Sequence, residues 1–341
     1  MVRWNGCTGY VGVSLSKGES INREKGTNMN LTTSTRTIVA GFRCNTRRRE
    51  LTKRDSTRIL NSILTLVIVS LLMVPIALSL PQAQPVPQEK TAVVFGQNIR
   101  YYEAGQGPAV ILLHGMGGVK ESWLGNLGAL AARYHVFAID QIGFGHSDKP
   151  LLDYKIATFV DFLYAFMQTQ NIGKATLVGN SFGGWIALDF AVQHPNMMEK
   201  LVLVDAAGLT WLQPIPELNP SSIAATRTLI ESVFYDKKMV SDDAALQVFT
   251  DRMRNNDGYT IQRTVAGFAT PQFEDAKLAS IHAPTLVMWG RQDELIPLAS
   301  AEKLRDGIMG AKLVVFEQCG HVPQIEKSAE FNRTLLEFLG K

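Results

Sequence analysis

Between residues 90 and 341, short runs of consecutive apolar residues alternate with longer stretches whose apolar residues recur at helical spacing. The runs are Ala109–Leu113, His135–Ile139, 175–178, 201–204, 285–288 and 313–316. The helical stretches are 122–133, 156–170, 182–193, 299–307 and 329–339. A short apolar run without polar alternation reads as a strand covered on both faces, the condition of a parallel sheet. Strands and helices in alternation then predict an α/β architecture, a mostly parallel central sheet with helices on both faces. Residues 91–95 and 99–103 read instead as a hairpin around Gly96-Gln97-Asn98.

The alternation stops between residues 209 and 281. Helical patterns at 222–234 and 242–253 replace the buried-strand pattern, with turn signals at Asn219-Pro220 and at Asn255-Asn256-Asp257-Gly258. This interval is expected to be a helical cap inserted between two strands. Ligands of open α/β sheets bind beyond the carboxyl ends of the strands, where such an insertion acts as a lid.

The N-terminal part has a different character. Residues 1–58 hold 12 Lys and Arg against 4 Asp and Glu, a basic arm of net +8 in a chain of net +3. Residues 59–88 carry no charge, which leaves the remainder at −5. The basic balance therefore belongs to the arm, and the folded part lacks the positive excess of a nucleic-acid-binding domain. Residues 59–80 form an apolar run long enough to cross a bilayer, which takes about 20 residues. Basic residues before it predict a cytoplasmic N-terminus. The run is read as a transmembrane anchor, or as a signal peptide cut after Ala77-Leu78-Ser79. Either fate puts the folded domain outside the cytosol. The arm is long for a signal peptide, and Met29 is a second candidate start. Residues 81–89 read as a Pro-rich linker and 90–341 as the folded domain. Cys319 is its one cysteine, so no disulfide forms within it, and no Cys/His pattern at metal spacing is present. No cofactor and no metal is expected.

Gly179-Asn180-Ser181-Phe182-Gly183 lies between a buried-strand run and a helix. A nucleophile on so tight a turn is strained, and neighbours two residues away must lack side chains, hence Gly179 and Gly183. Serine needs a base. His321 follows the last strand run and so faces the same edge as Ser181. His135 begins a strand and so faces the opposite edge, His194 and His282 lie at positions of packing or surface, and His146, in a loop near the Ser181 edge, is the rival. The base needs a carboxylate to hold its tautomer. Asp293 follows the run 285–288 and completes the chain order Ser, Asp, His. Asp205, at the end of the preceding strand, competes for that role, with Asp140 and Glu294 as weaker candidates. The turn His114-Gly115-Met116-Gly117-Gly118 after another strand can aim backbone N–H groups at the same point as Phe182 N–H, the requirement of an oxyanion site.

Four motifs, H-G-x-G-G at 114–118, G-N-S-x-G-G at 179–184, G-x-x-D-x-x-x-P at 290–297 and Gly320-His321, resemble the α/β-hydrolase superfamily across residues 90–341. The resemblance implies a Ser181–Asp293–His321 triad, oxyanion amides from Met116 and Phe182 with Gly115 in the loop, and a cap at 209–281. It makes Asp140, Gly143, Gly145 and Ser147 a structural D-x-x-G-x-G-x-S segment. The same branch includes esterases and lipases, carbon–carbon hydrolases of aromatic catabolism, perhydrolases, and enzymes with an Asp nucleophile, which Ser181 excludes. Carbon–carbon hydrolases commonly carry Trp after the catalytic His, where this chain has Val322. The expectation is a carboxylesterase or small lipase acting on a small-molecule ester. A carbon–carbon hydrolase or perhydrolase is the alternative, and a membrane-tethered binding module without activity is the reading from another class.

Overall fold

The structure is a computed structural model that describes residues 86–209, 217–267, 273 and 275–340, together with a minimal antiparallel ladder of Arg3–Trp4 with Cys7–Thr8. The chain divides into two units, 1–80 and 81–341. The apolar run 59–80 lies outside the described residues. Among the described residues no helix is long and apolar enough to cross a membrane.

Eight strands form one sheet: β1 (Gln88–Val94), β2 (Gln97–Ala104), β3 (Ala109–Leu113), β4 (His135–Ile139), β5 (Ala175–Asn180), β6 (Met198–Val204), β7 (Thr285–Gly290) and β8 (Lys312–Phe316). Their spatial order is β8-β7-β6-β5-β3-β4-β2-β1. From β4 to β8 all pairings are parallel, while β1 and β2 pair antiparallel with each other and β2 with β4. The hairpin turns one residue earlier than its glycine indicates. Phe95 and Gly96 both take positive φ, 50° and 76°, as a two-residue turn that follows the strand twist requires.

Successive side chains of a strand point to opposite faces. Val110 and Leu112 of β3 accordingly join one core cluster with Val202, Val204, Leu286 and Met288. Ile111 and Leu113 join the other with Leu201, Leu203, Val287 and Trp289. Helices α1 (Leu124–Ala131) and α9 (Ser328–Leu339) cover the first cluster, and α2 (Ile156–Thr169), α3 (Phe182–Gln193) and α7 (Leu298–Gly307) the second. Two expectations need correction. The stretch read as an amphipathic helix at 182–193 is buried nearly all round, because α3 lies between the sheet and α2. The run 313–316 is mostly half-exposed, because β8 is the edge strand.

Between β6 and β7 the chain forms α4 (Ile223–Val233), α5 (Asp242–Asn255) and α6 (Gly258–Gly267). Ser222 and Ser241 cap the first two by accepting from Ala225 and Ala244 N–H, each at 3.1 Å. Asn256 ends α5 in the left-handed conformation. The signal at 255–258 is thus a helix–helix corner, and sequence reading missed α6 behind it.

Candidate active site

Strand β5 delivers Ser181 to the sheet edge with φ 54° and ψ −118°, a conformation that β-branched or bulky residues avoid. A Cβ on Gly179 would stand 2.3 Å from the Gly183 carbonyl oxygen, and one on Gly183 would stand 2.4 Å from that of Leu113. The glycines are therefore required by close backbone approach, as the spacing predicts. The Ser181 N–H donates to Val204 O at 2.9 Å, and Ala207 N–H to Ser181 O at 2.9 Å, so the turn is braced against the end of β6.

His321 is buried, and its Nδ1 lies 2.7 Å from Asp293 Oδ2. The other Asp293 oxygen accepts the N–H groups of Leu295 and Ile296 at 2.8 and 3.0 Å. Backbone donors on one oxygen and the imidazole on the other leave Asp293 a single orientation. Asp293 rather than Asp205 is thus the carboxylate against the ring. Asp205 is nevertheless fully buried, and donor atoms of Asp205, Asp293 and His321 lie within 4.8 Å of one another. Burial first, and then the neighbouring Asp293 charge, push the Asp205 carboxyl well above the usual carboxylate range.

The remaining candidates are engaged elsewhere. Asp140 accepts Lys120 N–H at 2.7 Å and His146 N–H at 2.9 Å, and pairs with Lys120 Nζ at 3.0 Å. His146 is exposed beside Lys120 and does not line the cavity. Glu294 pairs with Lys237 at the surface. His114 is buried and braces the loop after β3: Nδ1 donates to Gly115 O at 2.7 Å, and Nε2 accepts Gln141 N–H at 3.1 Å.

Gly115, Met116, Ser181, Phe182 and His321 open onto one cavity of about 250 Å³. Phe182 is the first residue of α3, at the positive end of the helix dipole. The Gly118 N–H closes a turn on Gly115 O at 3.0 Å, and a Cβ on Gly115 would come within 3.2 Å of Ser181 Cβ. The arrangement can activate a hydroxyl and surround a carbonyl oxygen. The far wall belongs to the cap, with Leu229, Val233, Phe234 and Val248 beside Arg252.

Three positions escaped sequence reading. Asn180 Nδ2 donates to the carbonyls of Val204 and His321, at 3.2 and 3.0 Å, tying the serine turn to the histidine loop. Glu326 accepts Gly320 N–H at 2.7 Å and Tyr235 N–H at 2.9 Å. Arg252 lies over the loop at Gly117, with Nη1 donating to Leu218 O at 3.1 Å and Nε buried without a hydrogen-bond partner among the described residues. Only the Asn beside the serine carried a local signal; Arg252 is a polar residue in a helical pattern and Glu326 lies before the last one.

A family model described as "alpha/beta hydrolase fold" matches residues 108–328. The chain therefore belongs to the α/β-hydrolase family, and it is a hydrolase. Among curated relatives, 2-hydroxymuconate semialdehyde hydrolase of Pseudomonas sp. (strain CF600) is 33% identical over 268 residues, 73% of this chain and 93% of that protein. The 2-hydroxy-6-oxo-6-phenylhexa-2,4-dienoate hydrolase of Comamonas testosteroni is 34% identical over 260 residues, 71% of this chain and 91% of that protein. Among solved structures, a meta-cleavage product hydrolase (CumD) superposes with a TM-score of 0.68 at 31% identity, covering 74% of this chain and 97% of that one. A membrane phospholipase A superposes with a TM-score of 0.69 at 27% identity, covering 83% of this chain and 98% of that one. The two curated relatives and CumD favour the carbon–carbon alternative over the ester-cleaving reading drawn from Val322 and the apolar N-terminal run.

Proposed function

We propose that this chain is a serine hydrolase that cleaves a carbon–carbon bond next to a carbonyl group in a carboxylate-bearing substrate, the kind of molecule that the names of its two bacterial relatives give. The observation that carries this reading is Arg252. Apart from the His321 imidazole, it is the one ionisable side chain among the described residues lining an otherwise largely apolar cavity. Burial disfavours its charge and lowers its pKa, and Asp257 nearby offsets this in part. A guanidinium in the wall of an apolar cavity is complementary to a carboxylate.

The proposed roles follow from position. His321 takes the Ser181 proton, and Ser181 Oγ bonds to the carbonyl carbon, whose oxygen accepts from Met116 and Phe182 N–H. Asp293 holds the imidazole and supports its charge. The substrate first ketonises, its 2-hydroxyl proton passing to the carbon that will leave; collapse of the adduct then breaks the carbon–carbon bond, and its electron pair is delocalised as the dienolate of the fragment whose carboxylate Arg252 holds. That fragment takes up the proton from His321. Water then hydrolyses the acyl-serine, releasing the second carboxylic acid and restoring the hydroxyl.

A second reading, ester or lipid hydrolysis by the same triad, is supported by Val322 after His321, by the apolar cavity walls, and by the phospholipase likeness. One assay separates the two. Purified protein is given a 2-hydroxy-6-oxo-6-phenylhexa-2,4-dienoate and, in parallel, p-nitrophenyl butyrate. The carbon–carbon reading expects kcat/KM to favour the dienoate. It also expects Arg252→Leu to lower kcat/KM about 10- to 100-fold on that substrate, the worth of a hydrogen bond to charge, with little effect on the neutral ester. Brisk ester turnover with none of the dienoate would establish the second reading instead.

We further infer that the run 59–80 carries the catalytic domain across the cytoplasmic membrane as an anchor or a cleaved leader, supported by its apolar length and the basic arm before it.

A further inference from the structure

Asp205 is a second carboxyl in a site that needs only one. It closes β6 in a left-handed backbone conformation, φ 43°, and its N–H donates to Met288 O at 3.0 Å. Its side chain is fully buried. Oδ1 accepts Gly290 N–H at 2.9 Å, while Oδ2 meets no donor among the described residues. The group within reach is the Asp293 carboxyl, itself an acceptor. Asp293 is committed in turn: one oxygen takes two backbone N–H groups and the other the His321 ring. Two facing carboxylates in a dry site repel, and an oxygen with no donor in reach costs its full desolvation. A single proton on Asp205 Oδ2 removes both penalties, because it turns an orphaned acceptor into a donor aimed at Asp293.

We propose that Asp205 is a positioning residue of this site: a neutral carboxylic acid that donates a hydrogen bond to the Asp293 carboxylate and holds it against His321. The proposal rests on the Ser181–His321–Asp293 reading above. The groups that face Asp205 agree with a neutral state. Asp293 lies beyond β7, Glu326 comes from the short helix α8 (Pro323–Glu326), and the Cys319 thiol, its own pKa pushed up by burial and by Glu326 and Asp205, lies beyond β8. No Lys or Arg pairs with Asp205 among the described residues. The His321 ring is the one group that a charged Asp205 would attract, and it already has Asp293. A neutral Asp205 adds no second negative charge behind the imidazole. Its hydrogen bond also fixes the Asp293 carboxyl in the orientation that faces the ring.

The test uses the full chain, the pH dependence of Ser181 labelling by a fluorophosphonate, and infrared spectroscopy. Asp205→Asn keeps the Oδ1 acceptor for Gly290 and offers an amide N–H to Asp293, so it imitates the neutral acid. Its labelling rate should stay within about threefold of wild type, with the acid limb of the profile unmoved. A charged Asp205 predicts otherwise: Asn would remove a negative charge that supports the imidazolium, and the limb would shift to lower pH. Asp205→Ala withdraws the donor, and should slow labelling about tenfold or more, since Asp293 is then no longer fixed facing the ring. Because Ala can also damage the fold, the deciding measurement is spectroscopic. At neutral pH the wild-type infrared spectrum should hold a carboxylic-acid carbonyl band that Asp205→Asn removes. Absence of that band, or an acid limb displaced downward in Asp205→Asn, overturns the proposal. A wild-type chain that shows the band but is not labelled overturns the triad reading, and the positioning role with it, while leaving the proton on Asp205 established.

Discussion

The backbone N–H of His321 donates to the carbonyl of Val233 at 2.8 Å, so the loop carrying the histidine is fastened to the last turn of a cap helix. Glu326 reinforces the junction by accepting from Gly320 N–H on the loop and from Tyr235 N–H on the cap. The cap and the loop that carries His321 are therefore hydrogen-bonded to each other, and disturbing the cap should reach the chemistry.

Glu326→Ala tests this coupling. It leaves the part-buried Gly320 N–H without its acceptor, at about 1–3 kcal/mol, while the exposed Tyr235 N–H turns to water. The variant should melt several degrees lower and lose kcat more than it raises KM, because the loop that aims His321 loosens. Thermal scans and steady-state kinetics on either substrate class provide the check. An unchanged kcat would show that the loop is held without the cap.

Ser181→Ala should abolish turnover and fluorophosphonate labelling while leaving the melting temperature within a few degrees of wild type. Turnover within tenfold of wild type, in a preparation free of host esterases, would remove Ser181 from the mechanism.

Asp293→Asn should lower kcat roughly 10³- to 10⁴-fold, since the amide presents the wrong partner to Nδ1–H and favours the wrong tautomer. Asp205→Asn should cost far less. Measuring the two variants side by side gives the ranking, and the reverse order would place the essential carboxylate after β6.

Asp257, buried between α5 and α6, provides a pH prediction. Burial raises its carboxyl to about 6 from 3.8, with Lys149 and Arg252 opposing the shift. A raised folded-state value means that the fold holds the proton more tightly than the unfolded chain. The corresponding stability is complete below pH 3.8 and is lost as pH rises to about 6, beyond which this group contributes no further slope. Asp257→Asn does not titrate. Wild-type stability minus variant stability, from urea unfolding, should fall between about pH 4 and 6 and then level. A difference that is flat across that window would refute the assignment.

The proposed export of the catalytic domain predicts that the uncleaved full-length chain pellets with membranes and resists extraction by high salt, because salt screens charge but leaves apolar burial intact. Residues 89–341 expressed alone should remain in the supernatant with activity retained. Untrimmed chain recovered soluble from the cytosol would contradict the proposal.

Residues acting within a few positions of one another were legible in the sequence. Whether a run is strand or helix depends on the period of its own side chains. Glycines at 179 and 183 are required by a turn that Ser181 itself forms, and the chain order Ser181, Asp293, His321 follows from which strands end at one edge. Helix α6 was hidden because Asn255 to Gly258 reads as an ending, and Asn256 does end α5; nothing local says that another helix follows. The exposure of β8 and the all-round burial of α3 depend on neighbours, which a run of residues does not name. Chain order and motif favoured Asp293 over Asp205, but the sequence left Asp205 without a place. Both follow strands that end at the same edge, and only the tertiary fold sets one against Nδ1 at 2.7 Å and the other behind it with an oxygen lacking a donor. Arg252 and Glu326 acquire their roles the same way, by contact across the cap. Local geometry is written in adjacent residues, whereas charge, burial and partnership are properties of groups that only folding brings together.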